Sequence, residues 1–168
     1  YASEVFYPDD FYAVVLIIIT ILFLGYIKRT PLAEYKAQNR GGMGSKGSAS
    51  RDEDFIEHIY PASMHSTMMI FNQKSRCYWL KVYEIPEGSK TSKGRAIQNL
   101  LNIESDDAVT AFIRVKQLQD PEYNMNHYLL FCTKDGIIKK TRLEAYSRPR
   151  QNGVNAIIIR ENDKVIQV

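Results

Sequence analysis

The sequence is poor in the residues that hold metals or cross-link a chain. Its 168 residues include two cysteines and three histidines. Cys77 and Cys132 stand far apart, and neither belongs to a paired spacing that would suggest zinc or a redox dithiol. They read as two reduced core thiols of a cytoplasmic protein. His58, His65 and His127 are scattered, none at ligand spacing from a cysteine or carboxylate. No metal and no cofactor is expected in this chain. No nucleophile, base and orienting group stand at credible spacing either, which makes an independent enzyme the least supported class. The chain opens on Tyr1 rather than methionine, as a piece of something longer would.

A full membrane span is also lacking. Residues 14–24 are apolar except for Thr20, and Lys28 and Arg29 follow, the flank an anchor would carry. Counted from Phe11 through Ile27, with Gly25 inside, the run reaches 17 residues. A spanning helix needs about 20. The residues before the run are acidic, where a secretory signal would be basic. Valine and isoleucine dominate it, which favours a strand. A buried strand is expected, because an exposed apolar strand of this length would invite aggregation.

Strong net charge is absent too: the formal value is +3. Its distribution is more informative. Three of the 19 acidic residues, Glu4, Asp9 and Asp10, fall in the first 22 positions, which hold no Lys or Arg, so the remainder carries +6. A moderately basic body suits a polyanion, though many soluble domains share it.

What is present is a repeat. The eleven residues from Gly25 to Tyr35 align with those from Gly136 to Tyr146, and a weaker copy runs from Ser75 to Ile85. An acidic residue shortly precedes an apolar one at Asp54, Asp107 and Asp163, with separations of 53 and 56 residues. A unit of that length fits a four-stranded propeller blade. Approximate units are 1–54, 55–106 and 107–168. β-rich runs at 67–71, 76–83, 108–115, 128–133, 137–141 and 154–160 fill them. Turn signals lie between: residues 72–75, 86–88, 134–136 and 152–153. Gly25 and Gly136 stand where a hairpin needs positive φ. Residues 97–101 make at most one helical turn, and polar residues 120–127 with Pro121 read as a long loop.

Basic residues recur within the repeat. Lys28-Arg29 and Lys139-Lys140 follow the hairpins, Lys81 lies in the middle copy, and Lys93, Arg95, Arg148 and Arg150 follow later. Stacked repeats would set these around one rim, where they could touch phosphates without reading bases. An ordinary solvated face explains them equally well. Residues 38–48 form a glycine-rich stretch, in which Gln38, Arg40, Gly41, Gly42, Gly44 and Lys46 could approach a phosphate. No Gly-Lys-Ser/Thr step makes it a nucleotide P-loop. By its chemistry alone it could be a flexible linker.

The stretch resembles the signature box of the carboxy-terminal domain of DNA gyrase A, whose pattern is Gln, basic, Arg, Gly, Gly, basic, Gly. Gln38, Arg40, Gly41, Gly42 and Gly44 match; Asn39 and Met43 stand where that family has basic residues. Residues 53–58, 79–86, 91–97 and 139–141 are similar to the family as well, so the resemblance covers the chain from about Gly25 onward. It implies an all-β fold: a propeller-like β-pinwheel of six four-stranded blades, of which this chain would hold about three. It implies double-stranded DNA wrapped around a basic rim, in support of ATP-dependent negative supercoiling by a bacterial, cytoplasmic type II topoisomerase. The partners implied are the rest of gyrase A, together with the ATPase subunit. The fragment itself would be non-catalytic, without the cleaving tyrosine. Val14, Val15 and Leu16 depart from the acidic residues found at Asp107 and Asp163. The alternatives are the corresponding domain of topoisomerase IV, or a non-catalytic β-repeat module that binds other proteins; a membrane role is disfavoured.

Overall fold

The computed structural model describes residues 16–22, 25–35 and 56–168. Among the described residues eleven strands run along the chain: β1 (Leu16–Leu22), β2 (Tyr26–Pro31), β3 (Ile56–Ser63), β4 (Thr67–Asn72), β5 (Arg76–Lys81), β6 (Arg95–Ala96), β7 (Val109–Val115), β8 (Tyr128–Thr133), β9 (Ile138–Arg142), β10 (Val154–Asn155) and β11 (Val165–Gln167). The chain forms two compact units. One takes residues 1–65 and 82–96, the other residues 66–81 and 97–168.

The first unit holds one four-stranded antiparallel sheet, ordered β3-β1-β2-β6. The apolar run seen in the sequence supplies β1, an inner strand with a neighbour on each side. Ile17, Ile19, Ile21 and Leu22 are all at most 1% exposed. An inner strand pairs both of its edges, so hydrophobicity on this scale carries no exposed ladder. Among the described residues no helix is long and apolar enough to cross a membrane.

The second unit holds two sheets, ordered β10-β5-β4-β7 and β11-β8-β9. The last has three strands among the described residues, where four were expected. Met69, Phe71 and Cys77 meet Leu129, Phe131, Leu143 and Tyr146 in one hydrophobic core. Trp79 packs against its side and donates its indole N–H to the Tyr146 carbonyl at 3.0 Å.

Strand exchange organises both four-stranded sheets. β6 and β10 are two residues each, and each comes from far downstream of the hairpin it completes. Tyr26 pairs with Ala96, and Cys77 with Val154. Each follows a glycine in the left-handed region, Gly94 (φ 84°) or Gly153 (φ 70°). A Cβ on Gly94 would lie 2.3 Å from the Ile27 carbonyl oxygen, and one on Gly153 2.8 Å from that of Cys77. The sheets therefore draw on overlapping intervals and cross the boundaries at 54 and 106 suggested by the repeat. β3 lies beyond the first boundary yet belongs to the first sheet.

Local differences from the sequence reading have simple causes. Residues 120–127 are not a plain loop. Pro121–Asn126 is a short helix, α1, started by Asp120, whose side chain accepts from the Glu122 amide, and by Pro121 at its first turn. The run at 154–160 yields only the two residues of β10. The hairpin position filled by Gly25 (φ 84°) and Gly136 (φ 82°) holds Ser75 (φ 67°) in the middle copy. Its strained backbone is held by the side chain: Ser75 Oγ donates to the Ile157 carbonyl at 2.8 Å and accepts from the Ile157 amide at 3.0 Å.

The recurring aspartate clamps a hairpin turn. Asp163 Oδ1 accepts the amides of Asp135 and Lys164 at 3.0 and 2.8 Å. Burial raises its pKa, but hydrogen bonds from the Thr133 hydroxyl and those two amides outweigh it and hold the group below an ordinary aspartate. Asp107 is shifted the other way: desolvation raises it, and bonding to the Ala108 amide offsets only part. A lowered native pKa contributes stability that is present above the unfolded-state value and lost as pH falls through the native one. Asp107, being raised, contributes in the opposite sense. Acidification below about pH 4 should therefore loosen the β8–β9 turn at Asp163 and not the turn at Lys74. Amide exchange at Asp135 against Lys74 checks this; equal acid sensitivity of the two would refute it. Asp54, the third member, lies outside the described residues, as do Val14 and Val15.

Candidate nucleic-acid interface

In the first unit, residues 85–95 are bound to β2 by a ladder of side-chain and backbone bonds. The Arg29 amide donates to the Pro86 carbonyl, and the Gly88 amide returns to the Arg29 carbonyl. Thr30 Oγ1 donates to the Gly88 carbonyl at 2.9 Å. Lys28 closes the loop from beneath. Its Nζ donates to the carbonyls of Ser89, Lys90 and Ser92 at 3.0, 2.7 and 2.7 Å, and the residue is 0% exposed. Burial lowers its pKa below that of an ordinary lysine, and the Glu34 carboxylate opposes the shift. A buried ammonium is tolerated where every N–H finds an acceptor. Three carbonyls meet that condition here.

Lys28, expected among the exposed basic residues, is therefore buried with its ammonium held by three carbonyls. Arg29 is also committed. Its Nε donates to the Ile85 carbonyl at 2.7 Å, and its Nη1 pairs with Glu87 at 3.1 Å, its side chain 18% exposed. Above this base the loop presents Arg95, which is exposed, and Lys93, which is half-buried. Lys90 lies over the Tyr35 ring, 4.9 Å from its centroid. Gln38, Arg40, Gly41, Gly42, Gly44 and Lys46 lie outside the described residues.

In the second unit Lys81 donates to Thr67 Oγ1 at 3.1 Å. Lys139 and Lys140 are exposed on β9, and Lys140 lies 4.3 Å from the centroid of the Tyr128 ring. Arg148 and Arg150, both exposed, border an open cleft of about 590 Å³ together with Arg142, Glu144 and Asn155. Arg142 was missed in the sequence. A signal existed: it occupies the repeat position of Lys81, the last residue of the second hairpin strand. The structure thus places Arg148 and Arg150 along one cleft, and Lys93 two residues before Arg95 at the start of β6. Among the described residues, no three His, Cys, Asp or Glu side chains gather as a metal site.

Hairpins repeated at Gly25, Ser75 and Gly136, with edge strands handed back from downstream, define an all-β blade-repeat protein of the propeller class. The profile of the DNA gyrase C-terminal domain, beta-propeller family matches residues 24–63, 66–116 and 127–168, and the chain belongs to that family. It is 40% identical over 161 residues to the DNA gyrase A protein of Aeromonas salmonicida, covering 96% of this chain and 16% of that protein. To the DNA gyrase A protein of Fibrobacter succinogenes it is 43% identical over 151 residues, covering 90% and 16%. A crystal structure of the C-terminal domain of DNA topoisomerase IV is similar at TM-score 0.74 and 27% identity, over 90% of this chain and 44% of that one. The chain spans about one sixth of the length of these curated relatives.

Proposed function

We propose that the chain is a DNA-wrapping module of gyrase A: it binds double-stranded DNA by its phosphates and bends it, in support of negative supercoiling by the whole bacterial, cytoplasmic enzyme with its ATPase subunit. The family match along nearly the whole chain carries the reading. Exposed cations on both units support it, with Arg95 on the first and Lys139, Lys140, Arg148 and Arg150 on the second. Arg40 and Lys46 of the glycine-rich stretch and half-buried Lys93 complete the proposed contact set. Lys28 is left out of it because its ammonium is satisfied internally.

Bending a 20–30 base-pair duplex by 40–90° costs on the order of 1–6 kcal/mol. Several phosphate contacts have to offset that cost, each contributing about 0.9 to the log–log salt slope. Binding is therefore expected to be sequence-tolerant and strongly salt-dependent. Changing Arg40 and Lys46 together to Ala should flatten the slope by about 2 and reduce bending in an energy-transfer assay on end-labelled duplexes. Unchanged affinity and bending would remove the glycine-rich stretch from the interface.

The likeness to the topoisomerase IV domain supports a second reading, the corresponding domain of topoisomerase IV. Joined to a complete enzyme, the two readings separate by product. Gyrase introduces negative supercoils, whereas topoisomerase IV only relaxes or decatenates.

A further inference from the structure

We propose that Glu34 and Tyr35 are positioning residues for DNA wrapping: they clamp Lys90, and with it the loop of residues 88–93, beside the point where the chain enters the glycine-rich stretch. The inference rests on the DNA-wrapping reading and adds how two parts of its contact set, distant in sequence, are held together.

The clamp starts from a single 3₁₀ turn, Leu32–Glu34, which follows β2 and is closed by the Tyr35 amide on the Leu32 carbonyl at 2.9 Å. Two neighbouring side chains there meet one residue from far downstream. Glu34 Oε2 accepts the Lys90 amide at 3.1 Å. The Tyr35 ring faces the Lys90 ammonium, 4.9 Å from its centroid. From beneath, Lys28 Nζ donates to the Lys90 carbonyl at 2.7 Å. Lys90 is thus engaged at its amide, its carbonyl and its ammonium by residues of one short stretch.

Charge and burial assign the roles. A carboxylate repels phosphate, so Glu34 stands beside a basic loop for what it holds. It also favours the charged form of the buried Lys28. Tyr35 acts through its ring, because its hydroxyl is buried with no hydrogen-bond partner among the described residues. Its repeat equivalent behaves differently: Tyr146 is 2% exposed and donates its hydroxyl to the Ala156 carbonyl, whereas Tyr35 is half-buried. A core-filling role shared by the repeat therefore does not account for Tyr35. An ammonium over an aromatic face is attracted by the quadrupole of the ring.

Chain reach links the clamp to the DNA contacts. Gln38 lies three residues beyond Tyr35, and Lys93 three beyond Lys90. Three residues extend at most about 11 Å. Both groups of proposed contacts therefore hang on short tethers from one fixed point. Groups held together before DNA arrives lose less entropy on binding.

The test uses the full chain, an end-labelled duplex of about 30 base pairs and a salt series. Tyr35→Leu keeps bulk but removes the aromatic face. It should weaken binding about two- to fivefold, the worth of one exposed cation–π contact, and reduce bending in the energy-transfer assay. The log–log salt slope should change by less than about 0.5, because no phosphate contact is lost; a lost contact changes it by about 0.9. Tyr35→Phe should behave as the parent chain, and a loss there would overturn the ring contact. Lys90→Met should match Tyr35→Leu, and the double variant should be no worse than either change alone, as two sides of one contact require. Glu34→Ala should raise amide exchange at Lys90 and lower bending in the same way. A slope change of about 0.9 in Lys90→Met makes Lys90 a phosphate contact in its own right and overturns the clamp. Additive losses in the double variant overturn it as well. Should Tyr35→Leu fail to fold, Lys90→Met and Glu34→Ala decide by bending and slope. Parent-like bending in these variants overturns the clamp and leaves the wrapping reading standing. A parent chain with no affinity for duplex at low salt overturns both.

Discussion

Replacing Lys28 by Met is expected to destabilise the first unit by about 1–3 kcal/mol, the usual cost of leaving buried polar groups without their partner. The methionine keeps the aliphatic stem but leaves the carbonyls of Ser89, Lys90 and Ser92 without the ammonium that gathers them. Amide exchange across residues 88–95 should rise before that across β1, because the loop is what the ammonium organises. DNA affinity should fall as well, through Lys93 and Arg95 losing their fixed base. A direct phosphate contact at position 28 predicts a different pattern: a slope change of about 0.9 with loop protection unchanged. That result would return Lys28 to the surface. Arginine should not restore the loop, because three carbonyls converge on a single ammonium nitrogen, whereas a planar fork spreads its donors over several atoms.

Truncating Phe71 to Ala should cost the second unit about 3–5 kcal/mol. The side chain is 0% exposed and joins its two sheets. Its ring stands edge-on to Phe131, with centroids 5.4 Å apart and planes at 80°, and to Tyr146 at 6.3 Å and 90°. Both contacts have the edge-to-face geometry that aromatic pairs prefer. Tyr146 also anchors the segment bearing Arg148 and Arg150, so the lesion should loosen the arginine cleft along with the core. Urea unfolding followed by Trp79 fluorescence reports the loss, since Trp79 packs against the same core. A change below about 1 kcal/mol would mean that the cavity collapses without penalty, contrary to the close packing seen.

Much of the scaffold was legible because it is local. β8 begins and ends where its β-rich run does, and Gly25 and Gly136 take the positive φ that their hairpin position requires. The apolar run around β1 was readable as a buried strand from its length and its β-branched residues. β6 was not readable, because two residues carry no periodicity. β10 was legible only as the start of a longer β-rich run at 154–160, and that Gly94 and Gly153 return the chain to an earlier hairpin is evident only once Ile27 and Cys77 are known to lie against them.

The site was half legible for the same reason. Arg148 and Arg150 are exposed, as an ordinary basic segment would suggest. Lys28 reads like Lys139, its repeat equivalent, and the two differ because residues 89–92 close over one of them. No local pattern foretells which lysine meets a loop some sixty residues away. Arg142 was recoverable from its alignment with Lys81, but the basic signal of the repeat is a pair, and Arg142 stands apart from one.

The handing back of β6 sets a timetable for synthesis. The β1–β2 hairpin is complete once Pro31 has been made, yet the edge at Tyr26 and Ile27 is not filled until Arg95 and Ala96 arrive. At roughly 5–20 residues per second, that interval is on the order of 3–13 s. Throughout it an apolar sheet displays an open ladder edge, and the buried Lys28 site has no carbonyls to receive its ammonium. A ribosome pausing between Pro31 and Arg95 would lengthen this vulnerable period.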